Sequence, residues 1–200
     1  MNSTQSLSLT RNKQYLIAGI LLLAMILTRG NITAHLQDAS WAIFFLVGFY
    51  LNGSSEKSIL SRYAFPLFFL VAFVIDLVVI DAQGGVHYCF TPAYPFLIPA
   101  YASMWFAGRW FAKNFQENSL GFTKFVGAAL IGTFACFFIS NLGFYLFAGK
   151  FETMSMMGYS QAVAKFLPSY LATTSLYLSF VAAIHLAIEH GRKLGTHAHS

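Results

Sequence analysis

The sequence predicts an all-α integral membrane protein whose six transmembrane helices form a single bundle. Hydrophobic residues make up 57% of the 200 residues and charged residues only 10%, an apolar bias beyond that of a soluble domain. Several apolar runs approach or exceed the roughly 20 residues that a helix needs to cross a bilayer. Because no linker or low-complexity run divides the chain, residues 1–200 are expected to form one domain, with short cytoplasmic tails at about 1–12 and 190–200.

Apolar runs between polar connections define the predicted helices, which are residues 13–28, 39–52, 60–80, 93–113, 121–148 and 160–188. The first run follows Arg11 and Lys13, as in a signal peptide. The "TRGNITAH" after it has no small-x-small cleavage site, which favours a retained helix. The second run is short and begins at "DASW", where Asp38 or Ser40 is placed to cap the helix start. The last two runs are long enough to tilt or to extend past the membrane.

The distribution of Lys and Arg over the connections predicts the orientation. With the N-terminus inside, nine basic residues fall on the cytoplasmic side and three on the outer side. The nine are Arg11, Lys13, Lys57, Arg62, Arg109, Lys113, Lys124, Arg192 and Lys193, and the three are Arg29, Lys150 and Lys165. Cytoplasmic loops carry the excess of positive charge, so both termini are expected to be cytoplasmic. This bias accounts for the net charge of +5, and the scattered basic residues argue against nucleic acid as a partner.

Under this orientation, the unusual polar residues concentrate at the outer end of the bundle, in or beside the connections at about 29–38 and 81–92. They are His35, Asp38, Asp76, Asp81, His87, Tyr88, Cys89 and Tyr94. The last outer connection, at about 149–159, adds Met154, Met156, Met157 and Tyr159. These four side chains form either an adaptable lid over a large ligand or an ordinary interfacial segment. A site at the outer mouth of a small bundle suits capture of a ligand from outside.

Asp76 and His35 each allow a structural and a functional interpretation. Asp76 lies within "LVAFVIDLVVI", where a carboxylate costs on the order of 2.5–3.5 kcal/mol on insertion scales and requires a partner. It either forms a helix-packing hydrogen bond or lines the outer cavity as a ligand contact. His35 is either such a contact or an interfacial polar residue.

Cys89 is the strongest candidate for chemistry at the outer end. It lies in an irregular connection that contains glycine and proline, as expected where backbone lines a cavity. A thiolate there can coordinate a soft or borderline metal, and His87 lies two residues away. Two ligands fall short of the four that a structural zinc takes, so the pattern fits a thiolate that adds one bond to a metal arriving already chelated. Cys136, within "GTFACFFIS", is expected to be a small buried hydrophobe.

Motifs for enzymatic chemistry are absent from the sequence. It contains no HExxH, GxSxG, P-loop or dinucleotide fingerprint. We therefore expect that the chain is not an enzyme, hydrolyses no nucleotide by itself and has no cofactor of its own.

Several of these features together resemble a family of vitamin transporters. Six helices in 200 residues with an outer cavity resemble the S-component of an energy-coupling-factor (ECF) transporter, and more narrowly the solitary vitamin B12 S-components called BtuM. The resemblance covers nearly the whole chain and is carried by "HLQDASWAIFFLVGFYL", by Asp76 and by "HYCFTPAYPF". Its most specific part is a cysteine in the outer loop with an acid thirteen residues before it and a tyrosine five residues after it.

The resemblance implies uptake of cobalamin (vitamin B12) or a related corrinoid across the bacterial inner membrane, with cobalamin as the transported ligand. A cysteine in that family coordinates the cobalt from its lower face, and Cys89 takes this place here. By position, the expected ligand contacts are Cys89, Asp76, His35, Tyr94, His87 and Tyr88. The corrin ring fills four equatorial positions on cobalt, so a single protein thiolate is enough. Thiolate ligation would also labilise an upper cyanide ligand, as a side chemistry.

The first helix departs from the S-components that share an energising module, which often carry small residues four apart. Ala18, Gly19 and Ala24 do not give that spacing. This favours a solitary protein, or a different docking surface for an ECF module. Two alternatives to cobalamin uptake stay open. One is an S-component for another vitamin or a metal chelate, and the other is a membrane redox or assembly factor that binds copper or haem through His87 and Cys89.

Overall fold

The computed structural model describes residues 9–30, 36–51, 59–82, 91–116 and 118–197, the last range without the side chains of 189 and 192–197. The elements are α1 (Arg11–Arg29), α2 (Ser40–Leu46), a π-helical segment (Val47–Leu51), α3 (Ile59–Ala82), a 3-10 turn (Tyr94–Phe96), α4 (Leu97–Lys113), α5 (Ser119–Phe147), α6 (Met156–Ala164) and α7 (Leu167–His197). Every regular element in these ranges is helical, which confirms the predicted all-α class for the described part of the chain.

Within the described ranges, three helices are long and apolar enough to cross a membrane. They are α3, α5 and the part of α7 from Leu167 to Ile188. Only 11–22% of the residues in their most apolar stretches are buried inside the bundle. Large side chains such as Val78, Ile131 and Leu176 instead lie mostly exposed on its outside. An apolar surface of this extent is typical of contact with lipid rather than water, so the chain has the character of a membrane protein.

The predicted second helix is a buried element rather than a lipid-facing one. α2 and the π segment together form a short apolar helix, and every residue from Ala42 to Leu51 is buried. A helix that is hydrophobic on all sides lies in a core. It packs directly on α4, because a Cβ added to Gly48 would lie 2.1 Å from the Trp105 carbonyl oxygen and one added to Gly108 would lie 1.9 Å from that of Phe45.

The predicted sixth helix is divided in two. α6 ends at Ala164, and α7 begins at Leu167 after a turn at residues 165 and 166. Pro168 explains the break, since its ring would clash with the carbonyl of Ala164, four residues earlier, and it has no N–H to donate to that carbonyl. Proline is tolerated in the first turn of a helix, which is where Pro168 lies in α7.

Aromatic side chains fill the core between the two ends of the bundle. Phe44, Phe45 and Phe68 are almost completely buried. Phe44 stacks on Tyr101 with ring centroids 4.6 Å apart, and Phe45 packs edge-on against Phe125 at 5.9 Å. These rings separate a polar cluster at one end of the bundle from a cavity at the other.

Candidate functional site

The polar cluster is centred on Arg29, the last residue of α1. Its Nε donates to Asp76 Oδ1 at 2.7 Å and its Nη2 donates to Asp76 Oδ2 at 2.7 Å. This is the bidentate geometry that matches a guanidinium to a carboxylate. The Arg29 side chain is 9% exposed and that of Asp76 is 15% exposed, so the pair is shielded from solvent. Asp76 therefore has the partner that a carboxylate in an apolar helix requires.

The remaining nitrogen of Arg29 joins the pair to α2 and α4. Nη1 donates to Asp38 Oδ2 at 2.8 Å, to Ser40 Oγ at 2.9 Å and to the Tyr101 hydroxyl at 2.9 Å. Asp38 also accepts from the backbone N–H of Ser40 at 2.9 Å. The N-cap residue of α2 is Ala39, which makes no side-chain capping bond, so neither Asp38 nor Ser40 occupies the predicted N-cap position. The Arg29 cluster is defined here as Arg29, Asp38, Ser40, Asp76, Tyr94 and Tyr101.

Tyr94 completes the Arg29 cluster from the 3-10 turn. Its hydroxyl donates to Asp76 Oδ2 at 2.7 Å, and its ring packs edge-on against Phe73 at 5.6 Å. This bond gives Asp76 a neutral donor beside the two N–H groups of Arg29.

The charges of the Arg29 cluster are unequal, because one guanidinium faces two carboxyl groups. Asp76 is enclosed by three hydrogen bonds, whereas the Asp38 side chain is 43% exposed. Of the two carboxyl groups, that of Asp38 is therefore the one that an outside molecule reaches more easily. An arriving group that donates hydrogen bonds suits this surplus of acceptor oxygens.

The chain before α2 is fastened to both α1 and α7. The Thr28 hydroxyl accepts from the backbone N–H of Ala39 at 3.3 Å. The Gln37 carbonyl accepts from the Tyr177 hydroxyl at 2.7 Å, and the Gln37 side chain accepts from Thr173. Trp41 stacks on Tyr170 with ring centroids 4.4 Å apart. These contacts hold Asp38 and Ser40 in position for Arg29.

A second group of aromatic residues lies at the end of α5 and the start of α6. The Tyr159 hydroxyl donates to Asn141 Oδ1 at 3.3 Å, and the Tyr145 hydroxyl donates to the Met154 carbonyl at 2.9 Å. Tyr159 is buried, and burial raises the pKa of its hydroxyl. Met154, Met156 and Met157, by contrast, are exposed. In the segment from the end of α5 to the start of α6, hydrogen bonds thus hold the two tyrosines in place, whereas the three methionines are exposed.

Among the residues predicted for the site, the structure brings Asp38, Asp76 and Tyr94 together. His35, His87, Tyr88 and Cys89 lie outside the described residues. Cys136 is fully buried with a free thiol, as predicted.

The sequence prediction missed Arg29, Ser40 and Tyr101 as members of the cluster. A signal for Arg29 was available, since it is a basic residue at the outer end of an apolar helix and Asp76 requires a partner. No group of three His, Cys, Asp or Glu side chains that could hold a metal occurs among the described residues. In comparisons with known proteins, no family model matches the chain and the search of curated proteins gives no significant match.

Proposed function

We propose that the protein is a membrane uptake protein that binds cobalamin or a related corrinoid at the outer end of its bundle, with the Cys89 thiolate as the lower axial ligand on cobalt. The proposal combines the sequence resemblance with one structural observation, the hydrogen bond between Tyr94 and Asp76. These two residues flank Cys89 in the most specific part of the resemblance.

The Tyr94–Asp76 bond supports the proposal because it joins the turn after the connection that contains Cys89 to α3, the helix before it. The connection begins after Ala82, the last residue of α3, and Thr91 is the first residue after Cys89 that the structure describes. In the sequence, Cys89 precedes Thr91 by two residues. Thr91 belongs to the same turn as Tyr94, whose backbone N–H donates to the Thr91 carbonyl at 2.9 Å.

The chemistry of the Arg29 cluster is compatible with a corrinoid. The ligand brings its own four equatorial nitrogens, so the protein has to supply only one soft axial donor. Its peripheral amides donate hydrogen bonds, and Asp38 offers a partly exposed carboxylate beside the buried Arg29–Asp76 pair. Pockets for ligands of this size combine apolar walls with a few placed polar groups, and the exposed methionines of residues 154–157 suit an adaptable apolar wall.

The proposed topology has six spans with both termini cytoplasmic in a bacterial inner membrane. It is supported by the bias of Lys and Arg over the connections and by the three long apolar helices. In this arrangement the Arg29 cluster faces outward, because Arg29 ends the first helix and Tyr94 begins the fourth. Capture would take place at this face and release would require opening toward the cytoplasm, with or without an ECF module.

The test is to purify the protein from cells supplemented with vitamin B12 and to record its visible spectrum. We expect a corrinoid spectrum shifted from that of free base-on cobalamin. Cys89→Ala is expected to lose the shift and to bind more weakly, whereas Cys136→Ala, which alters the buried thiol, is expected to keep both. If Cys89→Ala bound cyanocobalamin as tightly as the wild type with an identical spectrum, cobalt ligation by Cys89 would be ruled out.

The same preparation separates the alternative functions. Uptake of a different labelled vitamin, in competition with a panel that includes cobalamin, would favour an S-component for another ligand. Stoichiometric copper or a haem spectrum without corrinoid binding would favour a redox or assembly factor. Either result would replace the cobalamin proposal.

A further inference from the structure

A cavity of about 700 Å³ lies at the end of the bundle opposite the Arg29 cluster. Its described walls come from the end of α2 and the π segment, from the region where α4 ends and α5 begins, and from α7 between Leu178 and His190. The volume falls within the range of small-molecule sites, which is roughly 300–1,000 Å³. Phe44, Phe45 and their aromatic neighbours separate this cavity from the Arg29 cluster, so it is a second site.

The local backbone explains why the cavity forms. Gly108 allows α2 to touch the backbone of α4 at Phe45, and Gly48 allows the π segment to touch it at Trp105. The following π-helical segment presents Phe49 and Tyr50 toward α7, where both line the cavity. π-helical turns are rare and often occur at functional sites. The cavity is therefore bounded by a specialised backbone rather than by an ordinary helix packing defect.

The walls of the cavity are mostly aromatic. The six phenylalanines that line it are Phe45, Phe49, Phe111, Phe115, Phe122 and Phe125. Several of these rings already meet each other face to edge, as Phe111 and Phe115 do at 5.7 Å. Such faces and edges attract a further planar ring more specifically than they attract an alkyl chain.

The polar side chains that line the cavity, among the described residues, are Tyr50, Gln116, Asn118, His185 and His190. The lining contains no Asp, Glu, Lys or Arg among the residues that the structure describes. The Tyr50 hydroxyl lies 3.3 Å from His185 Nδ1, and the His185 ring packs edge-on against Phe115 at 6.0 Å. A charged ligand would lose its hydration here without an opposite charge to compensate, which favours a neutral one.

Gln116 indicates that a ligand of this cavity would carry a hydrogen-bond donor. Its side chain lines the cavity, and its Oε1 is buried without a hydrogen-bond partner among the described residues. A buried acceptor without a partner costs on the order of 1–3 kcal/mol. An N–H or O–H donor from a ligand, met by rotation of the Gln116 amide, would remove this cost.

From these observations we infer that the cavity binds a small, uncharged, planar aromatic molecule that carries a hydrogen-bond donor. The aromatic walls hold the ring, and Gln116 Oε1 accepts the donor. A lipid acyl chain is the main competing occupant, and it would leave Gln116 Oε1 without a hydrogen-bond donor. The inference does not depend on cobalamin uptake.

The test uses 5-fluoroindole as the probe and fluorine NMR as the readout, with the full-length protein in lipid nanodiscs. Empty nanodiscs give the partitioning background. We expect saturable line broadening above this background, displaced by unlabelled indole. The analogue 5-fluoro-1-methylindole has the same ring without the donor and is expected to bind at least about fivefold more weakly, the scale of one hydrogen bond.

Two matched variants locate the probe. Ala182→Phe adds a ring to a residue that lines the cavity, and Ala183→Phe adds the same ring to its exposed neighbour, which is not part of the lining. We expect Ala182→Phe to weaken binding at least about tenfold, because the new ring occupies ligand space. Ala183→Phe is expected to bind like the wild type, which also controls for folding in the nanodisc.

Three results would overturn the inference. The first is an absence of saturable binding by the wild type, and the second is unchanged binding by a folded Ala182→Phe. The third is equal binding of the methylated analogue. Displacement of the probe by decanol as effectively as by indole would also overturn the inference, because it would identify the cavity as an acyl-chain site. The last comparison uses only wild-type protein, so it holds even if Ala182→Phe fails to fold.

Discussion

The two ends of this bundle are stabilised by different interactions. At the Arg29 cluster, one guanidinium links side chains from α1, α2, α3 and α4 through hydrogen bonds of 2.7–2.9 Å. At the cavity end, the close contact is between backbones, where Gly48 and Gly108 bring α2 and the π segment against α4. The first end depends on charges being paired, and the second depends on the absence of two side chains. Substitutions that add volume and substitutions that remove charge should therefore act at opposite ends.

Loss of Arg29 is expected to have the largest effect. Arg29→Met leaves Asp76 and Asp38 without their cation, and breaking a buried pair costs about 3–5 kcal/mol. Thermal unfolding in one detergent measures it, with Arg62→Met as the control because Arg62 is exposed on α3. A double variant, Arg29→Met with Asp76→Asn, should recover part of the loss by removing the unpaired charge. Equal melting temperatures for Arg29→Met and Arg62→Met would contradict the central role of Arg29.

A methyl group at Gly108 is expected to have the next largest effect. The added Cβ would lie 1.9 Å from the Phe45 carbonyl oxygen. Neither atom can rotate away, because the backbone fixes the Cβ and the oxygen belongs to a backbone. Overpacking of this kind costs about 3 kcal/mol. Gly127→Ala is the matched control, since a Cβ there meets nothing within 4 Å and alanine favours a helix interior. Gly108→Ala should thus lower the unfolding midpoint while Gly127→Ala leaves it equal or slightly higher; the opposite order would refute the backbone contact.

The sequence predicts one end of the bundle far better than the other. Asp76 stands out because a carboxylate in an apolar run requires a partner, and Tyr94 stands out through its spacing from Cys89. Arg29 pairs with Asp76 across 47 residues. The sequence offers a basic residue at the outer end of one helix and a carboxylate that requires a partner in another, but not the fact that the two meet. The cavity is less predictable still, because a glycine in a helix does not indicate which backbone it touches. Helix positions follow from hydrophobic runs, whereas the break before α7 depends on Pro168.

Removal of the Tyr94 hydroxyl is expected to have a smaller effect than either change above. Tyr94→Phe deletes one of the three hydrogen bonds to Asp76 but leaves the Arg29 pair intact. A hydrogen bond to a charged group contributes about 1.5 kcal/mol or more. Tyr63→Phe is the control, because Tyr63 is exposed on α3. If cobalamin binds as proposed, Tyr94→Phe should weaken its binding and Tyr63→Phe should not. Identical stability of the two variants would show that the Tyr94 bond contributes little.

The smallest expected effects concern two helix caps, one near each end. Asn118 Oδ1 accepts from the Gly121 backbone N–H at 2.8 Å at the start of α5, beside the cavity. Ser155 Oγ accepts from the Gly158 backbone N–H at 3.2 Å at the start of α6. Loss of an N-cap costs about 1 kcal/mol. Asn118→Ala should approach this value, and Ser155→Ala should cost less because its bond is longer and exposed. Hydrogen exchange at the first turns of α5 and α6 would separate them, since each variant should increase exchange only in its own helix. A spread of increased exchange from α5 to α2 would instead mean that the cap also supports the wall of the cavity.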